Sequence, residues 1–326
     1  MNKAASKFAQ VTALNGVRIC HRSLGETSKP AVLMIMGHGT SMTKWGGLDE
    51  RLAGAGYRVI TLDNRGSGLT RDEAGEATTP DPVPLTGPGA NPDNVFAWCV
   101  DDMADDAVAV LDHYGVDKAH VVGVSMGGLI AQNVAVRHAD RCRTVVPIMT
   151  SFDLNGAVAT AMQKNPEWWG KLMEAAAAGG LTEGMSQQEV LEKSLPIMKL
   201  CATDKAFPDW TPRLQSVIEE AVAIDYARGG IDWGGKGAAR QSLAINAWTA
   251  SKLAAHKEGL KKLTVPALVL HGRYDPLIPI QAGRALHELI PGARLVEYDG
   301  GHNLGNDDTV RGLIEAAIVG HIALNN

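Results

Sequence analysis

The fold of this chain is decided by residues 120–128, which read HVVGVSMGG. An apolar run ends there in Gly-x-Ser-x-Gly, and an amphipathic run from Leu129 to His138 follows at once. A strand, a sharp turn and a helix in this order form the local structure in which a serine becomes a nucleophile. Gly123 and Gly127 suit such a turn because glycine has no Cβ to clash. The pattern predicts a strained backbone at Ser125 with an exposed hydroxyl; the alternative is a packing turn without chemistry.

The composition of the 326-residue chain is that of an ordinary globular protein, with 45% hydrophobic and 21% charged residues. The net charge of −5 offers no basic surface, so nucleic acid is not expected as a partner. Residues 1–10 lack the apolar segment of a signal peptide, and no apolar run reaches the ~20 residues of a membrane span. The cysteines have no metal-like spacing, which predicts reduced thiols, a cytoplasmic protein and no metal. They are Cys20, Cys99, Cys142 and Cys201.

Apolar runs and helical spacings alternate on both sides of the serine turn. The predicted strands cover residues 8–14, 17–23, 31–36, 57–62, 120–124, 143–149, 265–271 and 293–298. The predicted helices of the same part cover residues 45–54, 100–114, 129–138, 280–290 and 309–322. Asn15-Gly16 favours the type I′ turn of a hairpin between the first two strands. The alternation predicts an α/β fold: a mostly parallel sheet flanked by helices on both faces.

Two stretches depart from this alternation. Residues 71–97 contain five prolines and no periodicity, which predicts an excursion near the active-site rim or a mobile flap. Residues 152–262 are predicted to form helices and no strands. We therefore divide the chain into a core, residues 1–151 and 263–326, and a helical cap, residues 152–262. The cap is expected at the carboxyl edge of the strands, where ligands bind in open α/β sheets.

The helix predicted at residues 100–114 begins with several acidic residues. A solvated first turn, favoured by the helix dipole, is a simpler interpretation than a metal site. The residues concerned are Asp101, Asp102, Asp105 and Asp106.

A nucleophilic serine needs a base and an acid that orients the base. His302 lies in a glycine-rich loop directly after the last predicted strand, and Asp275 follows the strand before it. They give the order serine, acid, histidine along the chain. His271 is the nearest rival base, for which we expect a structural role, and Asp153 is an alternative acid.

The oxyanion formed in acyl transfer needs two backbone N–H donors. One belongs to the residue after the nucleophile, Met126. The second is expected from the loop 37–39, and we favour the N–H of His38. This machinery requires no metal or organic cofactor.

These motifs resemble the α/β-hydrolase superfamily. The resemblance rests on residues 123–127 with Asp275 and His302, on the loop 37–39, and on the turn 63–68, which resembles the family's Asp-x-Arg-Gly-x-Gly. It runs from residue 8 to the end of the chain, and it implies the α/β-hydrolase fold with an inserted cap. The form of the loop 36–39 is similar to that of small esterases related to aclacinomycin methylesterase.

The resemblance also has a departure. Met36 replaces the histidine that is usual before the glycine of the first loop, so a hydrogen bond typical of the family is expected to be lost. Asp63 and Arg65 are implied to be structural, tying loops together.

The predicted function is a serine hydrolase of carboxylic esters that forms an acyl-enzyme. Aromatic residues of the cap predict an apolar pocket for a small-molecule ester; the alternative for each is the core of the cap. We assign Phe152, Trp168, Trp169 and Trp210 to this pocket. The same triad acting on a lactone, an amide or a carbon–carbon bond is one alternative function, and a ligand-binding receptor with little turnover is another. Dehalogenase and epoxide hydrolase chemistry is disfavoured because those enzymes use an aspartate where this chain has Ser125.

Overall fold

The computed structural model describes residues 10–72, 98–202, 210–232, 235–304 and 308–326. Only Arg71 and Asp72 of the proline-rich stretch 71–97 belong to these ranges, so the predicted excursion lies outside the described residues.

The strands of the described chain form one sheet. They are β1 (Gln10–Leu14), β2 (Val17–Leu24), β3 (Ala31–Ile35), β4 (Arg58–Leu62), β5 (Arg71–Asp72), β6 (Ala119–Val124), β7 (Cys142–Ile148), β8 (Leu268–Gly272) and β9 (Arg294–Tyr298). Their spatial order is β1-β2-β4-β3-β6-β7-β8-β9, and the short β5 pairs with β2. The pairs made by β2 are antiparallel, and every pair from β4 to β9 is parallel. The predicted mostly parallel sheet is confirmed.

The helices alternate with the strands along the chain and cover the sheet on both faces. They are α1 (Leu48–Gly54), α2 (Val100–His113), α3 (Met126–Arg137), α4 (Leu154–Lys164), α5 (Pro166–Ala178), α6 (Gln187–Ala202), α7 (Pro212–Arg228), α8 (Lys236–Lys261), α9 (Ile280–Leu289) and α10 (Asp308–Ala323). The prediction of a helix from residue 45 was wrong at its start. A 3₁₀ turn ends at Trp45, and Gly46 and Gly47 then take positive φ angles of 59° and 77°, so α1 begins only at Leu48.

The opening hairpin has the turn that its sequence predicts. Asn15 and Gly16 both have positive φ angles, 51° and 74°, as a type I′ turn requires. Leu14 then lies opposite Val17 in the antiparallel ladder.

Two hydrophobic layers cover the sheet, one on each face. Alternate residues of β3 show why its sequence is continuously apolar: Leu33 and Ile35 pack with α2 and α3, whereas Val32 and Met34 pack with α1 and α10. A strand covered on both faces needs apolar residues at every position.

Helices α4 to α8 lie between β7 and β8 in the chain, and the described part of residues 152–262 contains no strand. The longest of these helices also belongs to the main core. Ala244, Ile245 and Trp248 of α8 are buried among residues of α2 and α3. The division into core and cap domains therefore stays a prediction.

The prediction of a solvated acidic first turn for α2 was wrong for Asp101 and Asp106, whereas Asp102 caps that turn by accepting the N–H of Cys99. Asp106 is 3% exposed and pairs with Arg65 at 2.6 Å. Asp101 accepts a hydrogen bond from Trp248 Nε1 at 2.7 Å. These carboxylates have partners that are distant in sequence, which a local pattern does not reveal. Within the described ranges, no three His, Cys, Asp or Glu side chains are grouped as a metal site would need.

The serine turn is built on close backbone contacts. Ser125 has φ 56° and ψ −119°, outside the regions that non-glycine residues favour. A Cβ at Gly123 would overlap the carbonyl oxygen of Gly127, and a Cβ at Gly127 would overlap those of Ile35 and Met36. Glycine is therefore required at both positions for α3 to begin immediately after β6.

Gly127→Ala should lower the free energy of unfolding by about 1–3 kcal/mol, because the added methyl group must displace main-chain atoms of β3. Gly170→Ala is the matched control: no atom lies within 4 Å of its Cβ position, and alanine favours the interior of α5 by about 1 kcal/mol. Urea unfolding measures both changes. Equal stability of the two variants would contradict this account of the turn.

Candidate active site

Ser125 lies where β6 ends and α3 begins, and its side chain is partly exposed. Its N–H donates to Ile148 O at 2.9 Å, and its carbonyl accepts from Thr150 Oγ1 at 2.7 Å. The main chain on both sides of the strained residue is therefore fixed by β7 and the residues that follow it.

His302 and Asp275 meet this serine from the loops after β9 and β8. His302 Nε2 lies 3.0 Å from Ser125 Oγ, and His302 Nδ1 lies 2.7 Å from Asp275 Oδ2. With Nδ1–H donating to the carboxylate, Nε2 keeps a lone pair that can accept the serine proton. The three predicted residues thus form one continuous chain of hydrogen bonds.

The carboxylate of Asp275 is fully buried and held on its second oxygen. Oδ1 accepts the N–H groups of Leu277 and Ile278 at 2.9 and 2.8 Å. His271 lies beneath this turn and bonds through Nε2 to the carbonyl of Ile278 at 2.8 Å. Burial lowers the pKa of His271, so its imidazole is neutral. It contacts the turn of Asp275 and not the serine.

The alternative acid, Asp153, has another partner. Its Oδ1 accepts the N–H of Gly156 at 2.9 Å and caps the start of α4. His302 pairs instead with Asp275.

The loop of His302 is pinned by the end of α6. The N–H of His302 donates to Cys201 O at 2.8 Å, and Asn303 Nδ2 donates to Ala202 O at 3.2 Å. From the sheet side, the Tyr298 hydroxyl donates to Asn303 O at 2.9 Å. Burial raises the pKa of this tyrosine well above its usual value, so the hydroxyl remains a donor.

The thiol next to this loop is not activated. Burial, and then the nearby charge of Asp275, raise the pKa of Cys201 to about 12. All four cysteines of the chain are free.

The loop after β3 faces the serine turn. The Cβ position of Gly37 lies 3.2 Å from Ser125 Cβ. The N–H of Gly39 is used by Gln241 Oε1 at 2.7 Å, and that of Thr40 by Gly37 O at 3.4 Å. The N–H groups of His38 and Met126, in contrast, have no hydrogen-bond partner in the described part of the chain. The imidazole of His38 contacts Ser242 Oγ through Nε2 at 2.8 Å.

The departure at Met36 is accompanied by another tie. Asn64 Nδ2 donates to the carbonyl of Met36 at 2.8 Å, and the Met36 side chain is buried in the layer beside α1 and α10. The loop after β3 is therefore held by the turn 63–68.

Asp63 and Arg65 tie loops together. Asp63 accepts the N–H groups of Met42 and Leu69, both at 2.8 Å, and pairs with Arg228 of α7 at 2.9 Å. Both side chains of this ion pair are almost fully buried. Sequence reasoning missed Arg228, because nothing in the local pattern of α7 marks it.

The four residues assigned to the substrate pocket lie in three different hydrophobic clusters. Trp168 and Trp169 contact each other edge to face at 5.3 Å, in a cluster that also includes Leu277 and Cys201. Trp210 packs in a second cluster between α6 and α7. Phe152 packs on the main core, with Lys257 Nζ over its ring at 5.3 Å. The first cluster reaches the Asp275 loop through Leu277, and it includes Cys201, whose carbonyl binds the His302 loop. The main core, against which Phe152 packs, also includes Ile278 of the Asp275 loop. A pocket shared by all four residues stays a prediction.

Two surface cavities lie away from this site. One of about 430 Å³ borders Arg22, Asp49 and Arg213, and one of about 480 Å³ borders Lys29 and the opposite edge of the sheet. Neither cavity is lined by Ser125, His302 or Asp275. We place the candidate site at these three residues because their hydrogen bonds suit catalysis, whatever the size of the cavities elsewhere.

No helix in the described ranges is both long and apolar enough to cross a bilayer.

Known proteins share the fold and much of the length of this chain. Rhodomycin D methylesterase of Streptomyces sp. strain C5 is 25% identical over 299 residues, which cover 88% of this chain and 90% of the relative. 3-Oxoadipate enol-lactonase 2 of Acinetobacter baylyi is 25% identical over 297 residues, 90% of each chain. The crystal structure of the enol-lactonase from Burkholderia xenovorans LB400 matches with a TM-score of 0.66 at 22% identity, covering 96% of this chain and 100% of the other.

The methylesterase similarity confirms the resemblance that the loop 36–39 suggested. A family model described as alpha/beta hydrolase fold matches residues 30–308. The match covers most of the chain, and it includes the serine turn and the loops that carry Asp275 and His302. This chain belongs to the alpha/beta hydrolase fold family.

Proposed function

We propose that this protein is a serine hydrolase that cleaves carboxylic esters through an acyl-enzyme intermediate. The observation that carries the proposal is the hydrogen-bonded chain from Ser125 Oγ through His302 to Asp275, with distances of 3.0 and 2.7 Å. Both distances lie within hydrogen-bond reach, as a nucleophile, its base and the acid that orients the base require.

In this mechanism Ser125 Oγ attacks the ester carbonyl while His302 Nε2 takes the hydroxyl proton. The same nitrogen returns that proton to the departing alcohol, which leaves an acyl group on Ser125. A water molecule then gives a proton to His302 and attacks the acyl carbonyl, and the acid departs as the proton returns to Ser125. Asp275 stabilises the imidazolium in both half-reactions.

In this proposal the N–H groups of His38 and Met126 donate hydrogen bonds to the carbonyl oxygen and stabilise the negative charge that develops on it. Neither N–H is bonded to another described residue. Donors aimed at a developing oxyanion in a low-dielectric site typically contribute a few kcal/mol each to transition-state stabilisation.

Lactone hydrolysis is the second candidate function. A lactone is a cyclic ester, so it needs the same nucleophile and the same donors. The similarity to 3-oxoadipate enol-lactonase 2 over 90% of both chains favours it over amide or carbon–carbon cleavage. Turnover of a panel containing an open ester and its matched lactone, such as phenyl acetate and dihydrocoumarin, ranks the two substrate classes.

Ser125→Ala should lower kcat/KM for p-nitrophenyl acetate by about 10⁴-fold or more, because the attacking oxygen is removed. The substitution adds no bulk, so circular dichroism and melting temperature should match the wild type. Ser251→Ala, on the exposed face of α8, is the control and should keep full activity. A fluorophosphonate probe should label the wild type and not the Ser125 variant; labelling without turnover of any ester would favour the receptor alternative.

Asp275→Asn should lower kcat by about 10⁴-fold with little change in fold. The amide oxygen can still accept the N–H groups of Leu277 and Ile278, but the amide NH₂ favours the wrong tautomer of His302. Asp153→Asn is the matched control and should retain kcat within about twofold, since Asp153 caps α4. A larger loss in the Asp153 variant would reverse the assignment of the acid.

We also propose an apolar acyl pocket lined by Trp168, Trp169, Phe152 and Trp210. Hydrolysis of p-nitrophenyl esters from acetate to decanoate should therefore show a preferred chain length. Trp169→Ala should change the decanoate-to-acetate ratio of kcat/KM by about tenfold, because the loss of even one methylene-sized contact in an apolar pocket changes discrimination by about that factor. Tyr226→Ala, an exposed aromatic of α7, should leave that ratio unchanged. An unchanged ratio in Trp169→Ala and in the alanine variants of Trp168, Phe152 and Trp210 would contradict the assignment.

A further inference from the structure

One glutamine of α8 links this helix to two loops at the carboxyl edge of the sheet. The side chain of Gln241 is fully buried. Its Oε1 accepts the N–H of Gly39 at 2.7 Å, and its Nε2 donates to the carbonyl of Arg65 at 2.7 Å. A single neutral side chain therefore satisfies one donor and one acceptor that belong to different loops.

The first turns of α8 touch both loops directly around this glutamine. A Cβ at Gly237 would overlap the carbonyl oxygen of Gly66, so the two main chains are in contact. The Cβ of Ala238 lies 3.2 Å from the Cβ position of Gly39. Ser242, the residue after the glutamine, contacts the imidazole of His38. His38 and Gly39 of the loop 37–39 are thus in contact with α8, while Gly37 faces Ser125.

The loop that carries the His38 N–H has two fixed peptide groups. Thr40 Oγ1 donates to Gly37 O at 2.9 Å, which holds the peptide between residues 37 and 38 at its carbonyl end. The bond from Gly39 to Gln241 holds the next peptide at its N–H end. His38 lies between these two peptide planes, so the direction of its own N–H is set from both sides.

We propose that Gln241 is a positioning residue for the oxyanion hole, acting through Gly39 on the N–H of His38. The inference rests on the proposed function, because it assigns a role within the same reaction. Gln241 does not touch the reacting atoms. It fixes the donor loop against α8 and the turn 63–68, so that the donor is in place before charge develops on the substrate.

Gln241→Met should lower kcat for p-nitrophenyl acetate by about 10- to 100-fold and change KM by no more than about twofold. An interaction that orients an oxyanion donor acts in the transition state, whereas the small acetate needs little binding from the cap. The affinity of a trifluoromethyl ketone, which forms a tetrahedral adduct with the serine, should fall by the same factor as kcat. Ser251→Ala on the same helix is the control.

A purely structural role makes a different prediction for Gln241→Met. The melting temperature would fall while kcat and the inhibitor affinity stayed at their wild-type values, and that result overturns the inference. If the wild type hydrolyses the ester and Ser125→Ala abolishes it, the proposed function stands whatever the Gln241 variants do. A wild type without turnover of any ester overturns both.

Gln241→Glu tests the donor half of the glutamine without changing its shape, and it serves if the methionine variant does not fold. An ionised glutamate only accepts hydrogen bonds and opposes the carbonyl of Arg65, whereas a protonated one can donate to it. The ratio of variant to wild-type kcat/KM should therefore rise as the pH falls from about 8 to about 5.

Titrations that occur in both proteins cancel in this ratio, whereas the charged and titratable groups near position 241 also set the pKa of the introduced glutamate. They are His38 on the loop, Asp232, which precedes α8 and accepts the N–H of Ala238, and Arg65 paired with Asp106. A ratio that stays constant with pH overturns the donor role of Gln241.

Discussion

The main chain at the serine turn approaches β3 so closely that only glycine fits at position 127. A Cβ there would overlap the carbonyl oxygens of Ile35 and Met36. Position 123 also needs glycine, because a Cβ there would overlap the carbonyl oxygen of Gly127. This contact fixes α3 against the centre of the sheet and holds Ser125 at a φ of 56°. It also brings the loop after β3 beside the serine, because the carbonyl groups in contact with Gly127 belong to the residues at which β3 ends and this loop begins. The proposed nucleophile and the proposed oxyanion donors thus depend on the same close contact.

The helices between β7 and β8 contact three separate loops of the site. The end of α6 binds the His302 loop through the carbonyls of Cys201 and Ala202. Arg228 of α7 pairs with Asp63, which in turn accepts N–H groups from the loops on either side of it. Helix α8 holds the loop 37–39 through Gln241. Removing Arg228 alone would leave Asp63 as an unpaired buried charge, which typically costs about 3–5 kcal/mol, a large part of the stability of a domain.

The sequence predicted the sheet, the hairpin and the three hydrogen-bonded residues because their signals are local. A continuous apolar run identifies a buried strand, and the order of serine, acid and histidine follows from the strands they succeed. The start of α1 was missed because Gly46 and Gly47 adopt positive φ angles, which composition alone does not require. The partners of Asp106, Asp63 and Gly39 were missed for another reason. Each contact joins segments far apart in the chain, and helical periodicity in α7 or α8 says only that one face is buried, not which loop it meets.

These links give the insertion two roles that are usually considered apart. If a segment only covered the substrate, it could be replaced by another segment with a different hydrophobic lining, and this would change substrate specificity without affecting the rest of the site. Here the same segment supplies Gln241, Arg228 and the carbonyl groups that hold His302, so its exchange would leave buried polar groups of the core without partners. Each such group costs about 1–3 kcal/mol and frees a loop that carries a reacting group or an N–H donor. The shape of the proposed pocket and the alignment of the serine's partners are therefore coupled through one set of helices, and a change of substrate must preserve those hydrogen bonds.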